Sequence, residues 1–261
     1  MDLMGILIDR DHAGGTGIQG QDHIELRSVL KFASVETSKS SEKKTMFREK
    51  QRVINITKTD LIKFESEVAS NFENGKIRGA VHLSNNNEDE LINIFQYINK
   101  NDWVLSTWRN HYHALLHGVP ATQLMNEILN ARSISFQSPE HNFYTSAIVN
   151  GIIPVAVGMA YALKLNKKSK MVWCFVGDMA AESGVFFEGL KFSVRNNLSI
   201  HFVIEDNKLS TNVYTDDAWG KEGIDIVTPK YKDLIFKKYV TYYEYERKKY
   251  PHVGIGKFIN F

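Results

Sequence analysis

From about Val53 the chain sorts its apolar and polar positions into two periods. Over Thr57–Phe72, Leu61, Phe64, Val68 and Phe72 recur at helical spacing, with threonine and aspartate near the start. The same period predicts a helix over Asn87–Lys100, carried by Leu91, Ile94, Phe95 and Ile98. A third is predicted over Val119–Ala131, with Pro120 near its first turn. Ile152–Asn166 predicts a helix rich in small residues, where Ala156, Gly158 and Ala160 allow close packing. Met171–Gly177 is apolar on both faces, as central parallel strands are, and Leu198–Asp206 is a second buried run. Between them Glu182–Asn197 places Phe186, Leu190 and Val194 on one helical face. Strand, helix and strand in that order form a βαβ unit, which crosses over right-handedly. The expected fold class is α/β, a parallel sheet with helices on both faces.

Ahead of Val53 the pattern is weak. "GILID" reads as a short strand and "AGGTGIQG" as a flexible loop. Those glycines are a poor phosphate-loop signal, because no strand–loop–helix setting surrounds them. Ser38–Arg52 is polar and charged and reads as a linker or an exposed helix. The chain thus divides into an N-terminal extension with a charged linker, residues 1–52, and one domain, residues 53–261.

Composition narrows the function classes. A formal net charge of +2 gives no global argument for nucleic acid or an anionic membrane surface. The single cysteine, Cys174, lies in an apolar run and excludes a disulfide within the chain. No apolar segment approaches the length of a membrane span, and the N-terminus lacks a signal peptide's basic start. The expected location is cytoplasmic.

Two polar residues close the two buried runs. Asp178 follows the first predicted strand and Asn207 the second. In open α/β sheets ligands bind beyond the carboxyl ends of parallel strands, so both side-chain oxygens can converge there. A carboxylate with an amide carbonyl suits Mg²⁺ or Ca²⁺, and a helix starting near Ala181 would turn its first amides toward a phosphate. The alternative reading is two unrelated turns, Gly-Asp and Asp-Asn.

"GDMAAESGVFFEGLKFSVRNNLSIHFVIEDNKLST" resembles the thiamine diphosphate motif, which opens with Gly-Asp-Gly and closes with Asn-Asn or a variant. The resemblance is strongest to the alpha subunit of the thiamine-dependent 2-oxo acid dehydrogenases, the pyruvate and branched-chain type. Three more segments follow that family in order. "KIRGAVHLSNNNEDELI" resembles its Arg-Gly segment, with His82 and Glu88 in the histidine and glutamate positions. "LSTWRNHYHALLHGVP" resembles its diphosphate-holding Tyr-Arg-x-His-Gly stretch, with Trp108, Arg109 and His111 in the matching places. "FYTSAIVNGIIPVAVGMAYA" resembles the segment that lies against the aminopyrimidine, through Val149 and its neighbours.

The resemblance implies thiamine diphosphate and Mg²⁺ as cofactors. Asp178, Asn207 and the backbone of Leu209 would ligate the metal. Trp108, Arg109, Val149, Gly177, Met179 and Ala180 would line the cofactor with Asp178 and Asn207. His82, His111 and His252 are the candidates for proton transfer, since imidazole titrates near neutrality. The family's alpha chains work with a beta-type subunit that supplies the glutamate activating the aminopyrimidine, in an α₂β₂ assembly. The expected reaction is decarboxylation of a small 2-oxo acid, most simply pyruvate, with acyl transfer to an acceptor. Two other readings are the amino-terminal half of a split transketolase, hinted at by "VYTDDAWG", and a regulatory subunit without turnover.

Several positions depart from the family. Met179 stands where glycine is usual, and methionine fits only with negative φ and an averted side chain. Glu182 replaces a common asparagine, and Asn85–Asn87 replace an Asp-Gly-Gln pattern. "KKYPHVGIG" resembles the start of the family's His-Gly-His-Ser loop, with His252 as its histidine. The sequence stops at Phe261, without the tail expected to meet a lipoyl carrier, which suggests acyl transfer to an aldehyde or another carbonyl acceptor.

Overall fold

The computed structural model describes residues 49–219 and 238–259. The "GILID" strand, the glycine loop and most of the charged linker lie outside the described residues. At the linker's end Arg52 is held rather than solvated, because its guanidinium donates to the carbonyls of Phe95 and Leu116.

Helix α1 (Lys58–Glu73) begins at a capping box. The Thr57 hydroxyl accepts from the amide of Asp60, and the Asp60 carboxylate accepts from the amide of Thr57. Leu61, Phe64, Val68 and Phe72 are all buried, as their spacing requires. Helix α2 (Glu88–Phe95) stops earlier than the apolar pattern suggests. The amides of Gln96, Tyr97 and Ile98 bond three residues back, so the chain tightens into turns that still bury Ile98. Helices α3 (His111–His117) and α4 (Ala121–Leu129) complete this layer. Gly118 ends α3 at φ 110°, a conformation open to glycine.

The main sheet contains β1 (Trp103–Ser106), β2 (Gln137–Ser138), β3 (Phe143–Thr145), β4 (Val172–Gly177), β5 (Ile200–Asp206) and β8 (Val240–Glu244). Their order is β2-β3-β1-β4-β5-β8. All neighbours are parallel except β2 and β3, so the expected parallel sheet carries one antiparallel edge strand. Strands β6 (Leu209–Ser210) and β7 (Val213–Tyr214) form a separate small hairpin, followed by helix α8 (Thr215–Trp219).

Strand alternation sorts the core onto two faces. Trp173, Phe175 and Val203 pack with α1 to α4. Val172, Cys174, Val176, Phe202 and Ile204 pack with α5 (Ile152–Leu165) and α7 (Gly184–Arg195). Close approach between those helices does not come from Gly158, which faces open space. It comes from Gly189, where a Cβ would sit 3.0 Å from Ile153 Cγ2.

The βαβ unit is not built on one continuous helix. A single turn, α6 (Asp178–Ala181), follows β4 directly, and Ser183 then caps α7 by accepting from the amide of Phe186. The helical start thus moves from Ala181 to Asp178 itself. Met179 lies within that turn and is not among the positive-φ residues, which meets the backbone part of the condition for a side chain there.

From β1 the chain runs outward to β3, crosses back to β4, and then continues to β5 and β8 on the other side. The carboxyl ends of β1 and β4 therefore flank a topological switch point, where open α/β sheets form their binding crevice.

Candidate functional site

A cavity opens at that switch point. Thr107, Trp108 and Arg109 line it from the end of β1, Gly177 to Ala180 from β4, and Glu205 and Asn207 from β5. Val149 and Asn150, the hairpin residues Leu209 to Thr211, and Tyr245, Arg247 and His252 complete the wall. Every cofactor-binding and metal-binding position expected from the sequence therefore meets in one place.

Asp178 is the electrostatic centre. One oxygen, Oδ2, is buried and has no hydrogen-bond partner among the described residues. Burial raises its pKa to about 7, and the nearby charge of Asp206 adds to the shift. The amides of Met179 and Asn207 oppose it only in part. A buried carboxylate with an unpaired oxygen is matched by a cation. Asn207 is pre-set beside it, with Nδ2 donating to the Tyr245 hydroxyl at 3.3 Å and Oδ1 accepting from the amide of Leu209 at 2.9 Å. Among the described residues no group of three His, Cys, Asp or Glu side chains forms a ready metal cage. A metal here would draw its remaining ligands from backbone carbonyl and ligand oxygens.

Gly177 leaves the space beside Asp178 open, since a Cβ built there meets nothing within 4 Å. Arg109 enters from the other side. It is buried and its Nη1 donates to the carbonyl of Leu83, which fixes the guanidinium while leaving other donors available. Val149 is exposed on the cavity rim, just ahead of α5.

The three histidines separate into different roles. His252 lines the cavity, and burial with the charges of Arg109 and Arg247 lowers its pKa. His82 packs edge-on to it, with ring centroids 4.7 Å apart, and lies 5.7 Å from the Trp108 ring. Its Nδ1 donates to the carbonyl of His252 at 2.7 Å, which leaves Nε2 as the acceptor nitrogen. Burial first, then Arg109, lowers the His82 pKa to about 3, so the ring is neutral at pH 7. His111 is a correction to the sequence reading. It is fully buried, with Nδ1 bonded to Glu65 Oε2 at 2.9 Å and Nε2 to Ser133 Oγ at 2.8 Å. With both nitrogens engaged, it lies outside the cavity lining and braces the chain behind Arg109.

Glu88 is also structural, accepting from the Tyr112 hydroxyl and the amide of Asn86. The divergent Asn85 and Asn86 have a visible purpose. Asn85 Oδ1 accepts from the amide of Lys249, and Asn86 Nδ2 donates to the carbonyl of Glu246. They staple the segment after β8 to the loop before α2.

Sequence reasoning missed Thr107, Asn150, Glu205, Ser210, Thr211, Tyr245 and Arg247. Glu205 had a signal, since it stands two residues before Asn207 at the end of a buried strand. Its Oε1 receives the Tyr243 hydroxyl and lies 3.2 Å from His113 Nε2. Tyr245 and Arg247 were hidden because Val240–Glu244 is too short and polar to announce a strand, although the rule of strand ends applies to it equally.

Comparison with known proteins agrees with this geometry. The dehydrogenase E1 component family matches residues 57–226. The alpha subunit of the pyruvate dehydrogenase E1 component of Porphyra purpurea is 33% identical over 182 residues, covering 59% of this chain and 53% of that protein. A chloroplastic pyruvate dehydrogenase E1 alpha subunit of Arabidopsis thaliana is 34% identical over 160 residues, covering 55% and 37%. The alpha subunit of an acetoin:2,6-dichlorophenolindophenol oxidoreductase of Cupriavidus necator is 30% identical over 163 residues, covering 59% and 49%. The chain thus spans about half, or less, of the length of these relatives. It belongs to the dehydrogenase E1 component family, as a divergent chain of the alpha-subunit type.

Proposed function

We propose that this chain is the diphosphate- and metal-binding half of a two-subunit thiamine diphosphate-dependent enzyme that decarboxylates a small 2-oxo acid. The observation that carries the reading is Asp178, a half-buried aspartate whose Oδ2 is buried and orphaned at the switch point of the sheet. The residues present fit the group. Asp178 and Asn207, with the Leu209 carbonyl, would hold Mg²⁺, and the open space beside Gly177 admits a diphosphate. Arg109 offers a planar fork suited to a phosphate.

Bound there, thiamine diphosphate would supply the electron sink for decarboxylation of the 2-oxo acid, most simply pyruvate. The chain's own contribution is binding, orientation and proton placement. Trp108 and Val149 would form the apolar sides against which the rings lie. His252 presents its imidazole to the cavity, and the His82 Nδ1 proton fixes the backbone that carries it. The neutral His82 ring adds no positive charge beside Arg109.

A partner chain is part of the proposal. By likeness to relatives named as alpha subunits, the glutamate that activates the aminopyrimidine is assigned to a beta-type subunit in an α₂β₂ assembly. Support comes from the apolar side chains left exposed near the cavity and on the outer helices: Ile148, Val149, Val155, Leu165, Val185 and Phe192. Acetoin oxidoreductase and pyruvate dehydrogenase alpha subunits are both relatives, so the acyl acceptor is assigned only as a carbonyl compound or a carrier. Calorimetric titration with thiamine diphosphate, with and without Mg²⁺, tests the reading. Saturable binding that requires the metal is expected, and absence of binding with the partner supplied would refute it.

A further inference from the structure

Arg109 is not the only guanidinium in the cavity. Arg247 lines it as well, from the segment that follows β8. Its backbone is pinned on both sides. The amide of Tyr245 donates to the carbonyl of Asp206 at 2.8 Å, Asn86 Nδ2 donates to the carbonyl of Glu246 at 3.0 Å, and the amide of Lys249 donates to Asn85 Oδ1 at 3.0 Å. The side chain is anchored too, by Nη2 donating to the carbonyl of Thr211 at 2.9 Å. Thr211 is the tip of the hairpin that starts at Leu209, so Arg247 stands at the metal end of the cavity. One guanidinium bond leaves several donors for a ligand.

The charge balance there is unusual. Among the described residues neither Arg109 nor Arg247 has a salt-bridge partner. Burial and the charge of Arg109 both lower the pKa of Arg247. The two guanidinium groups share the cavity with Asp178 and Glu205 without forming a salt bridge to either, so both keep donors for an anion with several acceptor oxygens.

Building on the thiamine diphosphate reading, we propose that Arg247 is a second anion-binding residue, taking a phosphate group of the diphosphate together with Arg109. Asn85 and Asn86 are then the side chains that set its position. A substrate carboxylate is the other ligand with suitable oxygens, but the anchor on the Leu209 hairpin favours the phosphate.

The test uses the full chain and titrates it with Mg²⁺–pyrophosphate and Mg²⁺–thiamine diphosphate by calorimetry. Wild type is compared with Arg247→Met and Arg247→Lys, and unfolding curves establish that each variant is folded. Arg247→Met should weaken both ligands at least tenfold, and Arg247→Lys should recover part of the loss by restoring charge without the fork. Pyrophosphate affinity unchanged in both folded variants would overturn the inference while leaving the cofactor reading intact. Wild-type binding of pyrophosphate but not of thiamine diphosphate, with the same tenfold losses, would sustain the anion site and refute the cofactor reading. Wild-type binding of neither ligand would overturn both.

Discussion

Asp178 and Asp206 leave adjacent parallel strands side by side, because Gly177 and Glu205 are in register across β4 and β5. Only one of these carboxylates is provided for. Asp206 accepts from the amide and the ammonium of Lys208 and from the Tyr242 hydroxyl, whereas Asp178 keeps an orphaned oxygen and a pKa of about 7. Asp178→Ala should therefore abolish Mg²⁺-dependent binding of thiamine diphosphate, since the metal loses its one charged protein ligand. Calorimetry on the folded variant decides it. Affinity within a few-fold of wild type would remove Asp178 from the metal site.

Arg109 reaches the same space with one donor tied to the Leu83 carbonyl. Arg109→Lys keeps the positive charge and loses the planar fork. Cofactor affinity should fall by about 1.5–3 kcal/mol, the range for a hydrogen bond to a charged group. A dissociation constant equal to that of wild type would mean that this guanidinium serves the Leu83 loop alone.

Glu65 holds the layer behind Arg109 by accepting from the amide of Ser84 and from His111 Nδ1, all buried. Glu65→Ala should cost about 1–3 kcal/mol for each buried group left unpaired, read from urea unfolding. His111→Gln should lower stability as well. In the assembled enzyme it should leave the pH profile of turnover in place, and a displaced profile would return His111 to proton transfer.

How much of this was legible in the sequence follows from the side chains involved. Strand β4 and helix α1 were readable because apolar runs and helical periods survive in the letters. Helix α3 was not, since all seven of its residues are buried and it has no polar face to produce a period. Strand β1 is only four residues long, too short for alternation to register. At the site, Asp178, Asn207 and Arg109 were found through strand ends and motif order. Arg247 was not found, because its place depends on contacts with Asn85, Asn86 and Thr211, which lie 36 or more positions away.

His117 gives the fold a pH dependence. Its ring is buried and Nε2 lies 3.1 Å from the Asp102 carbonyl. Burial, with the charge of Arg52, lowers its pKa from 6.5 to about 4. Between those values the unfolded chain binds the proton and the folded chain does not. Stability from this group is thus fully present above 6.5 and is lost as pH falls toward 4, by about 1.4 kcal/mol per unit. His117→Phe should be less stable at pH 7.5, having left the Asp102 carbonyl unpaired, yet its stability should decline less steeply between pH 6.5 and 4. Parallel curves for the two proteins, from denaturant titrations, would exclude His117 as the source.

The assembly can be tested through turnover. If the activating glutamate comes from a beta-type subunit, the isolated chain can bind the metal and the diphosphate and still fail to release carbon dioxide from pyruvate. Co-expression with a beta-type thiamine subunit should bring release on, with two copies of each chain in the complex, as closed two-fold assemblies favour. An artificial electron acceptor such as 2,6-dichlorophenolindophenol should then be reduced as it takes two electrons from the two-carbon fragment left by decarboxylation, which is oxidised to the acid level. Substituting Val185 or Phe192, exposed on α7, by aspartate places a charge on an apolar surface without touching the cavity. If that surface meets a partner, such a variant should bind Mg²⁺–thiamine diphosphate like wild type but assemble poorly in light-scattering measurements. Full carbon dioxide release by the chain alone would refute the two-subunit reading.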